Sequence, residues 1–410
     1  MVNTLYFLIL FIIVTDFVVE RWLDYLNTTK WSSKLPSEFE GIYDEEKYQL
    51  SQEYEKTKYR FAKLTGILGF IAILLMFILG GFGLLDSLVR EKVNNPILIA
   101  LLFFGIIGLI SDLFSLPFSW YETFVIEEKF GFNKSNNKIF FLDHLKGMLL
   151  GAIIGGGILA LIVWIYLLTG KLFWIYALII IITFSLFMTL FYSNLIVPLF
   201  NKQKPLEEGE LKSAIKDFCE KVHFKLDNVF VIDGSKRSTK ANAYFTGMGK
   251  KKRIVLYDTL INELSTGEIV AVLAHEIGHY KKRHIIYSLV ISFFSTALML
   301  YIFSLVSSNP AFAEVLEAKQ SGFHLSMVTF GILYSPLSFV FGIGMNILSR
   351  KNEYEADRFA AVNYNGKSLA DALKKLSVHN LSNLTPHPVY VFFNYSHPTL
   401  MQRLKNLERK

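Results

Sequence analysis

Hydrophobic residues in this chain are gathered into long blocks rather than alternated with polar ones. Seven blocks stand out: Leu5–Val19, Phe61–Leu84, Ile97–Phe118, Gly147–Leu168, Leu172–Leu199, Ile285–Val306 and Phe323–Leu348. Most reach or exceed the roughly 18 apolar residues that mark a bilayer-crossing helix. The expected fold class is an all-α multi-pass membrane protein with seven transmembrane helices. The first block lacks a preceding basic stretch and a small-residue cleavage site, so it reads as a retained helix rather than a signal peptide. The Gly-rich run Gly151–Gly157 predicts a close helix–helix approach in the fourth span.

Between the fifth and sixth blocks the pattern changes. Leu206–Val222 reads as an amphipathic helix, and Asn228–Asp233, with Val-Phe-Val-Ile inside it, as a short strand. Ala241–Thr246 and Arg253–Tyr257 alternate around Gly247-Met-Gly-Lys250, a hairpin signal. A small α+β portion is therefore inserted among the helices. The chain divides into residues 1–199 (spans one to five), 200–284 (a cytoplasmic catalytic segment), 285–348 (spans six and seven) and 349–410 (a further helix and tail).

Charge orients the blocks. The first, third and fifth loops are rich in Lys and Arg, as is the tail, whereas the alternate loops hold only Arg90 and Lys92, then Lys171, then Lys319. The positive-inside bias puts the N-terminus outside and the C-terminus in the cytoplasm. Composition agrees with a lipid-bilayer protein: 52% of residues are hydrophobic and the mean hydropathy is +0.38. The single cysteine, Cys219, excludes an intrachain disulfide. The net charge of +7 is spread among acidic residues, so no nucleic-acid partner is expected. Nothing in the sequence specifies an oligomeric state.

The chemistry lies in Ala274-His275-Glu276-Ile277-Gly278-His279, an HExxH. Ser265-Thr-Gly-Glu268 reads as a capping box, and Ile269, Val272, Leu273 and Ile277 form an apolar stripe at helical spacing. Residues four apart on a helix lie about 40° apart around its axis, so His275 and His279 present two imidazoles to one point. Two imidazoles beside a carboxylate suit a catalytic Zn²⁺, one per chain, with Glu276 as general base. The metzincin extension is absent, since Lys282 and Ile285 stand at its Gly and His positions. A third ligand must come from elsewhere.

Glu353 and Asp357 offer one. They share a helix face just beyond the last block, where one carboxylate can coordinate and the other can hold a ligand imidazole. A solvated face with Arg350 and Arg358 is the competing reading. Spacing favours the metal. Ile277 and Glu353 are equidistant from residue 315, the middle of the loop joining the last two blocks. Two continuous antiparallel helices would bring them level. The roughly 30 residues from 277 to 306 span about 45 Å of helix against a hydrocarbon core of about 30 Å, so the metal should sit at the cytoplasmic edge.

An oxyanion needs donors. His397 and Arg403 offer them; equally, Pro398 can open a helix that His397 merely precedes, with Arg403 on its surface. His144, His223, His284, His324, His379 and His387 read as structural. The strand hairpin can lay an extended peptide across the metal by its edge, or merely cover the helix.

Several stretches together make the chain resemble the CAAX prenyl protease family of integral-membrane zinc metalloproteases. They are Ile126–Lys134 (IEEKFGFNK), Ser238–Gly247 with Asn242-Ala-Tyr-Phe245, the HEIGH motif, Ser349–Asp357, and Ser396-His-Pro398 followed by Arg403. The resemblance implies seven helices enclosing a chamber and removal of the last three residues of prenylated CAAX peptides. It implies His275, His279 and Glu353 as zinc ligands, Glu276 as base and Asp357 behind the ligands. His397 and Arg403 match the transition-state side, and Asn242, Ala243 and Tyr244 the substrate-binding strand. The short outer loop at 307–322 and the lack of a dilysine-type tail point to a bacterial cell-membrane member, the endoplasmic reticulum membrane being the eukaryotic counterpart. A membrane quality-control metalloprotease is the alternative within the class. A transporter or lipid-handling protein, with Asp16 and Asp112 as intramembrane acids, is the alternative outside it.

Overall fold

The computed structural model describes residues 2–32, 34–226, 228–246 and 253–408. Among the described residues, six helical stretches are long and apolar enough to cross a bilayer: Val2–Thr28, Glu45–Ile78, Pro96–Glu127, Asn137–Phe200, His284–Val306 and Phe323–His379. The fourth, of 64 residues, turns back at Gly170–Leu172, where Gly170 adopts φ 53°. Six stretches with one folded in two give the seven expected rods. Large apolar side chains such as Phe7, Phe11, Ile153 and Phe294 are exposed on them, as a lipid-facing surface requires.

The glycine run meets its neighbour only loosely. A Cβ at Gly151, Gly155 or Gly157 would meet nothing within 4 Å among the described residues, and one at Gly156 would reach Leu101 Cδ2 of the third rod at 3.9 Å. The run also loosens into a π turn at Gly151–Gly155, where missing side chains lower the cost of a wider turn.

The acids of the transporter alternative are occupied within the bundle. The Ser335 hydroxyl donates to Asp16 Oδ2 at 2.6 Å, and Asp112 Oδ2 lies 2.8 Å from His144 Nε2.

The inserted segment forms a four-stranded sheet of order β1-β2-β4-β3, from β1 (Gln203–Pro205), β2 (Asn228–Ile232), β3 (Ala243–Thr246) and β4 (Arg253–Tyr257). β2 and β4 run parallel; β3 pairs antiparallel with β4, Ala243 opposite Leu256 and Phe245 opposite Ile254. The expected hairpin is therefore present, and its turn, Gly247–Lys250, lies outside the described residues. β1 was not anticipated, being three residues long and bounded by Pro205. The amphipathic helix occupies Glu210–Lys221 and buries Ile215, Phe218 and Cys219. This unit shares one core with the motif helix Thr266–Lys281 through Leu256, Leu260, Ile269, Val270, Leu273 and Ile277.

The pair of continuous rods expected to carry the site is only half right. The last rod, Phe323–Ala360, is continuous over 38 residues. The motif helix stops at Lys281, Arg283 turns left-handed at φ 59°, and the sixth span starts afresh at His284. The break falls in Lys281-Lys-Arg-His284, four polar residues between an apolar stripe that faces the sheet unit and one that faces lipid. One straight helix cannot serve both surroundings. The motif helix packs on the last rod, whereas the sixth span packs chiefly on the fifth, Phe173–Leu195.

Candidate active site

The motif helix starts on the expected cap. The Ser265 N–H donates to Glu268 Oε2 at 2.8 Å, the Ser265 hydroxyl lies 2.9 Å from the same oxygen, and Lys375 Nζ donates to it at 2.8 Å. Thirteen residues beyond Ser265, the helix crosses the last rod at Gly278. A Cβ there would lie 3.1 Å from Ala356 Cα, Ala356 O and Phe359 Cβ. Only glycine lets the two backbones approach so closely.

That crossing brings His275, His279 and Glu353 together, with ligand atoms all within 4.8 Å of one another. His275 Nε2 and His279 Nε2 are 3.1 Å apart. Glu353 Oε1 lies 3.2 Å from His279 Nε2, and Oε2 lies 3.4 Å from His275 Nε2. Glu353 is 4% exposed, and its Oε2 has no hydrogen-bond partner among the described residues. A buried carboxylate oxygen without a donor is costly unless a cation satisfies it. Two imidazole nitrogens and one carboxylate oxygen converging there fit a divalent metal of the zinc type.

The next layer supports these three. Asp357, fully buried, sets Oδ1 2.8 Å from His275 Nδ1, leaving Nε2 for the metal. Burial alone would push the His275 imidazole down; the Asp357 and Glu353 carboxylates beside it outweigh this and raise it to about 9. The pocket therefore favours positive charge. Arg403, on the tail helix Leu400–Glu408, is committed to Asp357 through Nη2 at 2.5 Å and Nε at 3.0 Å, with Nη1 3.6 Å from Glu353 Oε2. It backs the ligands and also lines the cavity in front of them. His397 is exposed and faces the opening, Nε2 3.4 Å from Glu353 Oε1. Pro398 does not open the tail helix: Leu400 is its first residue, and Thr399 and Gln402 exchange the capping hydrogen bonds. His397 is thus free of a capping role. The Arg350 guanidinium donates to the carbonyls of Val391 and Tyr395, fixing the turn that carries it.

A cavity of about 780 Å³ opens in front of the ligands. Its wall includes half-buried Glu276, Asn242, Ala243, His397, and Ser288 and Ser292 of the sixth span. Asn242 and Ala243 thus border the site. Tyr244 turns to the opposite face of β3 and lines a neighbouring cavity of about 850 Å³.

His284 is the residue sequence reasoning missed. It is buried, with Nδ1 3.0 Å from His279 Nδ1 and Nε2 3.3 Å from Glu355 Oε2. On an unbroken helix a residue five positions after His279 would point roughly 140° away. The left-handed Arg283 swings it back, and no local pattern signals that.

Two family profiles tile the chain: "CAAX prenyl protease N-terminal, five membrane helices" matches residues 24–202 and "Peptidase family M48" matches residues 205–410. CAAX prenyl protease 1 of Saccharomyces cerevisiae is 36% identical over 96% of this chain and 93% of its own length. Its homolog in Arabidopsis thaliana is also 36% identical, over 96% and 95%. The crystal structure of S. mikatae Ste24p superposes with a TM-score of 0.92 at 35% identity, covering 98% of this chain and 99% of that one. These relatives come from yeasts and a plant and lend no support to a bacterial origin. With its metal-ligand cluster and apolar rods, the chain belongs to the membrane-embedded CAAX prenyl protease group of peptidase family M48, a family of metallopeptidases.

Proposed function

We propose that this protein is a zinc-dependent endopeptidase that removes the C-terminal tripeptide of prenylated CAAX peptides at the cytoplasmic membrane face. The observation that carries it is the meeting of His275, His279 and Glu353 beside Glu276, in a cavity walled by β3. Residues 200–284 and 349–410 are then the peptidase part, and 1–199 with 285–348 the membrane chamber. The N-terminus lies outside and the C-terminus inside, on the bias of Lys and Arg among the loops.

β3 is the last strand of its sheet, with β4 on one side and no other strand pairing with it among the described residues. Its free edge hydrogen-bonds the peptide as an added strand. His275, His279 and Glu353 would hold the zinc, which when bound would supply Lewis acidity toward the scissile carbonyl and toward an attacking water. Glu276 orients that water, takes its proton and delivers it to the leaving amine. His397 donates to the developing oxyanion, while Arg403 holds Asp357 and offsets the ligand carboxylates. Asp357 keeps His275 in the ligating tautomer.

The test is hydrolysis of a farnesylated CAAX peptide by purified protein. Glu276→Gln should lower kcat by about 10²–10⁴-fold with metal content unchanged, and chelation should abolish turnover until zinc is restored. Cleavage that survives either treatment would sink this reading.

A further inference from the structure

The stretch Ile126–Lys134 is not explained by the chemistry above, and the structure gives it a task. It packs beneath Ser238–Asn242, the segment that leads into β3. That segment has little regular structure, yet it is held at nearly every position. Ser238 bridges Asn133, and Thr239 N–H donates to the Phe132 carbonyl at 3.0 Å. The Thr239 carbonyl lies 2.7 Å from His379 Nε2. Ala241 N–H donates to Asn380 Oδ1 at 3.3 Å, and the Lys240 carbonyl accepts from Thr259 Oγ1 at 3.1 Å.

Lys240 is the centre of this hold. Its Nζ lies 2.6 Å from Glu127 Oε2 and 2.8 Å from the Tyr54 hydroxyl, which donates to Glu127 Oε1 at 2.5 Å. The same ammonium sits 4.4 Å from the ring centroid of Phe132 and 5.2 Å from that of Tyr54. Tyr54 and Phe132 are buried, so a lysine that would ordinarily be mobile is fixed by charge-assisted hydrogen bonds and two aromatic faces. It is the second residue before Asn242 and the third before Ala243, both of which line the metal cavity. Tyr54 comes from the second rod and Glu127 from the end of the third.

We infer that Lys240, clamped by Glu127 and Tyr54, is a positioning residue that sets the height of β3, and so of the peptide paired to it, relative to the metal ligands. The inference rests on the reading of β3 as the peptide-aligning strand. One residue of slip along a strand is about 3.3 Å, enough to bring the neighbouring peptide bond to the metal. The membrane rods thereby govern which bond is cut.

The experiment uses the full-length protein, a farnesylated CAAX peptide, and mass spectrometry of the products. Lys240→Met should raise KM about tenfold and add products cut one residue away, with kcat changed less than about threefold and zinc content unchanged. Lys240→Arg should restore most of the KM and the single product. Glu127→Gln should match Lys240→Met, and the double variant should be no worse than either, because both remove one interaction. Tyr54→Phe, the mildest change, should give a smaller shift in the same direction. Unchanged KM and product in Lys240→Met would overturn the inference. So would a loss confined to kcat, or one that tracks zinc content or thermal stability. Peptides N-methylated at backbone amides separate the two readings. If wild type cleaves them normally, the strand reading fails and the clamp inference with it. If N-methylation blocks cleavage while Lys240→Met changes nothing, only the clamp inference fails.

Discussion

Nδ1 of His284 faces Nδ1 of His279 at 3.0 Å, and the far nitrogen of His284 faces Glu355 Oε2 at 3.3 Å. The two ligating histidines are therefore backed differently: His275 by a carboxylate, His279 by a second imidazole that is itself backed by Glu355. For His279 to ligate through Nε2, its Nδ1–H must donate to His284, which then carries its own proton on Nε2. Removing that acceptor frees the ring of His279. His284→Ala should weaken zinc binding by about 10–100-fold, read by competition with a chelator of known affinity, while the melting temperature of the zinc-loaded protein changes little.

Gly278 fixes the distance between the helix bearing the imidazoles and the rod bearing Glu353. The atoms a Cβ would strike are backbone and a Cβ, which cannot swing aside. Gly278→Ala should spread the helices by a few tenths of an ångström and lower kcat/KM by about tenfold. Gly278→Val should abolish zinc retention. Metal analysis alongside kinetics on both variants checks the order.

At the opposite end of the bundle, Asp86 and His324 are 1% and 2% exposed and pair at 2.7 Å, with Arg90 Nε 2.8 Å from the same carboxylate oxygen of Asp86. A buried ionic cluster that loses one member leaves the others uncompensated. Asp86→Ala should destabilise the protein by about 3–5 kcal/mol in thermal or denaturant unfolding, with KM and zinc affinity of the surviving folded enzyme unchanged.

Glu268 gives a pH signature. Burial pushes its carboxyl up, but the Lys375 ammonium and the Ser265 hydrogen bonds outweigh burial and hold it below its ordinary 4.5. A folded-state value below the unfolded one contributes stability above about pH 4.5 that is lost as pH falls through the folded-state value. The stability gap between wild type and Glu268→Gln should be full at neutral pH and close in acid. Unfolding curves for both proteins over that range check it.

How far the sequence carried the reading differs from residue to residue. His275 and His279 follow from helical spacing alone, and the Ser265–Glu268 cap needs only three residues of context. Glu353 was placed by counting back along two rods assumed continuous. The rod that carries the motif is broken at Arg283, yet His275, His279 and Glu353 still meet, because Gly278 packs directly on Ala356. That contact, not the whole length of the hairpin, sets the level. His284 was illegible because one left-handed residue decides where it points. The Lys240 clamp was illegible because Tyr54, Glu127 and Lys240 are 73 to 186 positions apart and share no periodicity. The glycines at 151–157 are ambiguous in the sequence, because a small-residue run fits both a helix contact and a wide turn.

The interruption at Arg283 also separates two mechanical duties. A rod in lipid must adjust its tilt whenever bilayer thickness changes. Had the imidazoles stood on the same unbroken cylinder, each such adjustment would have dragged them past Glu353. With the joint in between, metal affinity should be the same in short-chain and long-chain phospholipid vesicles, and straightening the joint by an Arg283→Ala replacement should make it depend on acyl length.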